Sequence, residues 1–122
     1  MAGIKLDGAG TAKMATLDEA VALHQRIHNL VEQFALQVKR NQPAGHLMMN
    51  LKRQVPVLAS KLKGQFGMIS DLVTAVNMNM TRGTSDQMRV RAMREGVAAI
   101  KVQLEIAVAQ TLAKHELKDE NH

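Results

Sequence analysis

AGHLMMNLKRQVPVLASKLKGQFGMISDLVTAVNMNM, residues 44–80, is the longest stretch of unbroken apolar periodicity in the chain. Leu47, Leu51, Val55, Leu58, Leu62, Phe66, Ile69, Val73, Val76 and Met80 recur every three or four residues, which places them on one face of a helix. A single helix from Ala44 to Met80 would be about 55 Å long at ~1.5 Å per residue. Pro56 lacks an amide and crowds the carbonyl four residues back, while Gly64 and Gly67 weaken the helix further on. The segment is therefore expected to kink near Pro56 or to break near Gly64. Arg82-Gly83 closes it, with Gly83 suited to the left-handed cap.

Upstream, Thr16-Leu17-Asp18-Glu19 has the reciprocal Thr-x-x-Glu spacing that satisfies two orphan amides at a helix start. The first helix is expected from Thr16, with Leu23, Ile27, Leu30, Phe34 and Val38 as its stripe, widened by Val31 and Ala35. It should stop at Arg40 or Asn41, before Pro43. Residues 1–15, rich in Gly, Ala and Thr, read as a flexible tail. Downstream, Thr84-Ser85-Asp86-Gln87 offers another capping box and a helix start near Ser85. Met93, Val97, Ile100, Leu104 and Ala107 form the seam of that helix. Val90, Val102, Ile106 and Ala109 add a second apolar flank, the breadth expected of a subunit interface. Residues from Lys114 on are polar and expected to fray.

These segments predict an all-α protein, an antiparallel up-and-down helical bundle of three long helices, the second kinked or broken to give four. The bundle occupies residues 16–117, with 118–122 as a frayed terminus. At 122 residues and 46% apolar composition, one domain is expected. Three helices with so wide an apolar surface on the last need either that break or neighbouring subunits, so a homo-oligomer is anticipated.

Composition narrows the function. Sixteen Lys and Arg against 11 acids give +5 and a pI near 9.9, which favours anionic partners. With no Cys, there are neither disulfides nor thiolate metal sites, as expected of a cytoplasmic protein. No run approaches the ~18 apolar residues of a membrane helix, and the N-terminus is unlike a signal peptide, so no membrane association is expected. Two Phe, no Tyr and no Trp exclude an aromatic base-stacking platform.

The positive charge is concentrated between Leu36 and Leu104, where eleven basic residues face three acids, Asp71, Asp86 and Glu95. Lys52 and Lys63 lie eleven residues apart on one helix face, with Arg53 and Lys61 beside them. Arg91, Arg94 and Lys101 line up on the last helix at spacings of three and seven, with Arg89 two residues before the row. Such rows bind phosphates through Coulomb attraction and counterion release, with little base discrimination. The bland alternative is an ordinary solvated helix face.

Other constellations are weaker. His24 and His28 have the i, i+4 spacing of a metal clamp, but no third ligand is visible, and polar-edge histidines are the simpler reading. Nine Met are best explained as core and interface filling. No phosphate-binding glycine loop, nucleophile elbow or Ser/His/Asp set occurs, so neither an enzyme nor a cofactor is expected.

Ser60-Lys61-Leu62-Lys63-Gly64 resembles the His-x-Leu-Lys-Gly signature of histidine phosphotransfer domains, with Ser60 in the place of the phospho-accepting His. That resemblance implies a phosphorylation-incompetent adaptor for a response regulator. A broader one exists. Leu47-Met48-Met49-Asn50-Leu51-Lys52-Arg53 resembles the Leu-x-x-Gln-Leu-Arg-Arg segment of the four-helix-bundle proteins encoded in 23S ribosomal RNA intervening sequences. The stretch from Arg94 to Ala107 is similar to that family's Arg-Gly-Ser-Leu-x-Glu-Leu-x-x-Gln-Leu-Glu-Leu-Ala, with Gln103, Leu104 and Glu105 matching outright. The basic character looks most like the branch that serves as accessory variability determinant of diversity-generating retroelements. This likeness implies a non-enzymatic pentamer that binds RNA or DNA and a reverse transcriptase. Lys52, Arg53, Lys61, Lys63, Arg89, Arg91, Arg94 and Lys101 would then meet phosphates. A mobile-element structural subunit is the remaining alternative.

Overall fold

The computed structural model describes residues 5–80 and 85–117 and contains four helices: α1 (Gly8–Lys39), α2 (Gly45–Leu62), α3 (Gly67–Met80) and α4 (Asp86–His115). Among the described residues there is no strand, only an isolated bridge between Leu6 and Glu116. α1 packs on α2 and α4, and α3 packs on the same two, with no contact across either diagonal. The four helices thus surround one core.

The long apolar segment breaks at Gly64 rather than at Pro56. α2 runs through Pro56, which lies on its exposed side and therefore costs one hydrogen bond without interrupting the buried row Leu51, Val55, Leu58, Leu62. At residues 63–66 the chain turns, and Phe66 carries the junction. Its amide donates to the Leu62 carbonyl (2.7 Å), its carbonyl accepts from the Ser70 amide (2.9 Å), and its ring packs half-buried against the core. Folding back brings Ile69, Val73, Val76 and Met80 to the same core as the α2 row, which one straight helix could not do. Ser70 Oγ donates to the Ala59 carbonyl at 2.7 Å and ties the two helices together.

α1 starts eight residues before the Thr16 capping box, which corrects the expected tail. Asp7 is the N-cap, its carboxylate accepting from the Gly10 amide at 2.7 Å. Thr16 sits inside the helix, where its hydroxyl donates to the Ala12 carbonyl. Local propensity at Gly8-Ala9-Gly10 is poor, so tertiary contact supplies the difference. The Asp7 amide donates to the His115 carbonyl (3.0 Å), the Leu117 amide donates to the Lys5 carbonyl (2.7 Å), and Gly10 is buried where a methyl group would overlap His115. The same pairing corrects the expectation that the chain frays from Lys114: α4 continues to His115, and Glu116 and Leu117 are held by the N-terminal segment. Residues 118–122 lie outside the described residues.

The end of α1 falls where expected. Asn41 takes a left-handed conformation (φ 54°), its amide donates to the Val38 carbonyl, and the Gln42 amide reaches back to Gln37 (2.9 Å). This is a Schellman closure with Asn in the position usually held by Gly. At the other junction, Ser85 caps α4 by accepting from the Met88 amide at 3.2 Å. The expected Gly83 cap and Thr84 lie outside the described residues.

Met93, Val97, Ile100, Leu104 and Ala107 are all buried, as their spacing predicts. The second flank of α4 is not: Val102 and Ile106 are 52% and 43% exposed. A close approach adds to the packing, since a methyl group on Gly96 would collide with Val76 of α3.

Candidate nucleic-acid interface

The eight expected phosphate contacts divide between two helices in very different surroundings. On α4 each of the four expected contacts has a carboxylate partner. Arg94 reaches across to α1 and holds both oxygens of Glu32, at 3.0 Å from Nε and 2.9 Å from Nη2. The paired hydrogen bonds lower the Glu32 pKa and raise that of Arg94. Arg91 pairs with Glu95 (3.4 Å) and Lys101 with Glu105 (4.0 Å), both one turn along the same helix. Arg89, half-buried, pairs with Asp86 at 3.1 Å. Each row member is therefore neutralised locally. The i, i+4 spacing of Arg91 with Glu95 and of Lys101 with Glu105 was the sequence signal for this.

α2 is the opposite case. Lys52, Arg53 and Lys63 are exposed and have no carboxylate within 4.0 Å among the described residues. Lys61 alone is paired, to Glu19 of α1 at 3.4 Å. From Gln33 to Ser70 the chain holds no Asp or Glu at all, yet it carries Lys39, Arg40, Lys52, Arg53, Lys61 and Lys63. Lys39 and Arg40, exposed at the end of α1, belong to the same acid-free run of sequence and were missed as candidates. The length of the acid-free run, rather than the spacing of any row, would have shown them. Lys52 and Lys63 are separated by about 16 Å along the helix, roughly five steps of one B-form strand at ~3.4 Å per step.

His24 is not at a polar edge. It is buried, and its Nε2–H donates to the Val97 carbonyl of α4 at 2.9 Å. Desolvation by burial lowers its pKa below the ordinary 6.5, so the ring is neutral and serves as a structural tie. His28 is exposed. Among the described residues no group of three or more His, Cys, Asp or Glu converges on a point that could hold a metal.

Comparison with protein-family models, curated proteins and solved structures finds no match to this chain.

Two further surfaces accompany the cations. Between α1 and α4 runs a groove of about 760 Å³ with Val21, Val31, Val97, Val108 and Leu112 along its floor and Glu32, Arg94, Lys101 and Glu105 at its rim. Between α2 and α3 a cleft of about 420 Å³ holds Ser60 and Lys63 beside Asp71 and Asn77, so the residue in the phospho-acceptor position is exposed on a helix of a four-helix protein. α4 is also long and apolar enough, by composition alone, to cross a membrane, contrary to the expectation that no segment is; only 28% of that stretch is buried. Here it forms one wall of the bundle and contributes Met93, Ile100 and Leu104 to the core.

Proposed function

We propose that this protein is a non-enzymatic, nucleic-acid-binding accessory protein built as an antiparallel up-and-down bundle, with α2 as the phosphate-binding face. The observation that carries this reading is that Lys52, Arg53 and Lys63 are exposed with no carboxylate within 4.0 Å among the described residues, Asp71 sharing only the walls of a cleft with Lys63. Unpaired cations spaced along a helix attract a polyanion and release its counterions. Without an aromatic residue beyond two Phe, recognition is of the backbone and not of the bases. By its resemblance to the accessory proteins of diversity-generating retroelements, it acts in the cytoplasm as a homo-oligomer, a pentamer in that branch, and presents RNA or DNA to a reverse transcriptase. The exposed apolar flank of α4, Val102 and Ile106, is where a protein partner or a second subunit would pack.

The test is fluorescence anisotropy with a labelled single-stranded RNA and its DNA counterpart, across a salt series from about 50 to 200 mM. Expected are binding of both and a log–log salt slope of about −2, since each of the three unpaired α2 cations that meets a phosphate contributes about −0.7 on a single strand. Absence of binding at the lowest salt overturns the reading.

A second reading, a protein-interaction adaptor, is favoured by the α1/α4 groove, whose apolar floor and charged rim suit an amphipathic helix. A receiver domain that competes with RNA for the protein would support it.

A further inference from the structure

Where α1 begins and α4 ends, a cleft of about 350 Å³ opens against the start of α3. Three features meet there, and none of them involves the α2 cations.

The first is a set of unused amides. The Phe66 carbonyl accepts from Ser70, but the amides of Gly67, Met68 and Ile69 have no backbone or side-chain acceptor, and all three residues line the cleft. They form the positive end of a 14-residue helix. The second is a pair of ammonium groups, Lys13 and Lys114, on the same walls. Lys13 is held in place: its Nζ lies 3.2 Å from His115 Nε2, while His115 Nδ1 faces the Asp7 carboxylate at 3.1 Å. The network assigns the proton to Nδ1, which donates to Asp7 and leaves the Nε2 lone pair to accept from Lys13. Asp7 thus acts from behind the histidine, and among the described residues no carboxylate lines the cleft.

The third feature is Thr111. It is 5% exposed, it lines the cleft, and its hydroxyl has no hydrogen-bond partner. The hydroxyls of Thr11, Thr16 and Thr74 each donate to the carbonyl four residues earlier, the usual resort of a helical threonine. Among the described residues only Asn77 Oδ1 is a buried side-chain polar atom without a partner, so the Thr111 hydroxyl is open to the cleft, where an acceptor that enters can replace water on it.

We propose that this cleft binds a phosphate monoester. Residues that carry three amides, two ammonium groups and a hydroxyl line one volume, and a phosphate dianion has the oxygens and the charge to accept from them where a carboxylate has two oxygens and one charge. Phe66, Met68 and Ile106 form the apolar part of the walls and receive the organic group of the ester. The ester belongs either to a free small molecule or to the 5′ end of a polynucleotide.

The experiment is a titration of amide cross-peaks in the ¹⁵N-labelled full chain with phenyl phosphate, inorganic phosphate and benzoate. Phenyl phosphate should shift Gly67, Met68 and Ile69 saturably and bind more tightly than either other anion. Thr111→Val, which keeps the shape, and Lys114→Gln, at an exposed position, should each weaken it about tenfold, the effect of losing one hydrogen bond to a charged group. Lys39→Gln should leave it unchanged. A 5′-phosphorylated oligonucleotide that outcompetes its 5′-hydroxyl form by a similar factor identifies a polynucleotide end; equal competition identifies a small ester. The proposal is overturned if the three amides do not move saturably by about 20 mM phenyl phosphate, a range that covers the weakest specific sites. It is also overturned if both folded variants bind as the parent does, or if benzoate binds as tightly as phenyl phosphate.

Discussion

α2 and α4 are both basic amphipathic helices, and they differ in what stands next to each cation. On α4, Arg89, Arg91, Arg94 and Lys101 each meet a carboxylate; the Arg94 pair ties α4 to α1, and the other three lie within the helix and reduce its outer field. On α2, Lys52, Arg53 and Lys63 have none within 4.0 Å among the described residues. A count of positive residues treats the two helices alike. What separates them is the position of the acids, one turn along on α4 and absent from Gln33 to Ser70 around α2.

The sharpest way to break this comparison is to reverse the charges of α2 and, separately, to remove those of α4. Lys52→Glu, Arg53→Glu and Lys63→Glu together should lower RNA affinity by about a hundredfold at ~50 mM salt and nearly flatten its salt dependence, because three phosphate contacts are lost and repulsion replaces them. Arg91→Gln with Lys101→Gln should change affinity less than threefold, since each removes a cation already offset by its neighbour. Equal losses from the two sets, measured by anisotropy, would erase the distinction between the helices.

Packing separates the two regions as well. Gly96 of α4 faces Val76 with no room for a methyl group, whereas Gly64, just past the end of α2, has open space around its Cα. Gly96→Ala should cost about 1–3 kcal/mol by overpacking. Gly64→Ala should stay within about 0.5 kcal/mol, as surface changes usually do. Urea melts of both variants read the difference directly.

Much of the bundle was legible in the sequence. The apolar rows fixed which residues of α2, α3 and α4 are buried, and Gly64 marked the break because the row continues on both sides of a weak helical point. The start of α1 was not legible. Its cap is Asp7, followed by two glycines that no propensity argument would place in a helix, and what holds them is the far end of α4, more than a hundred residues away along the chain. The cations at the candidate interface were visible as residues. Their pairing across helices, Arg94 with Glu32 and Lys61 with Glu19, was not, because it depends on how helix faces meet. His24 failed for the same reason: its partner is a backbone carbonyl on another helix.

That histidine gives the α1/α4 contact a pH signature that the α2 side lacks. His24 has a folded-state pKa lowered from 6.5 by burial, so the unfolded chain binds more protons than the folded one just below that value. Stability from this group is fully present above pH about 6.5 and falls as the pH drops toward the lowered value. Asp7 and Glu32, lowered from 3.8 and 4.5 by hydrogen bonds to Gly10 and Arg94, keep their contribution until the pH falls through the carboxylate range. His24→Gln, whose amide can still donate to Val97, should therefore flatten the stability profile just below the ordinary histidine pKa of 6.5 and leave the acid limb intact. A denaturant series at several pH values shows whether the upper limb belongs to this residue.

A small effect is expected of the Arg94–Glu32 pair, and it tests whether α4 is tied to α1 through its cations at all. Both side chains are about half exposed, at 54% and 43%, so solvent screens the pair, but the two-pronged geometry raises it above a casual surface contact. A double-mutant cycle with Arg94→Ala and Glu32→Ala should return a coupling of about 0.5–1 kcal/mol. It should shrink when salt is raised to about 1 M, where the screening length falls to ~3 Å. A coupling of zero would mean that Arg94 is held by nothing it needs, and its cation would then be as available to a phosphate as those of α2. The contrast between the two helices requires that Arg94 leave Glu32 only at a cost, and this cycle measures that cost.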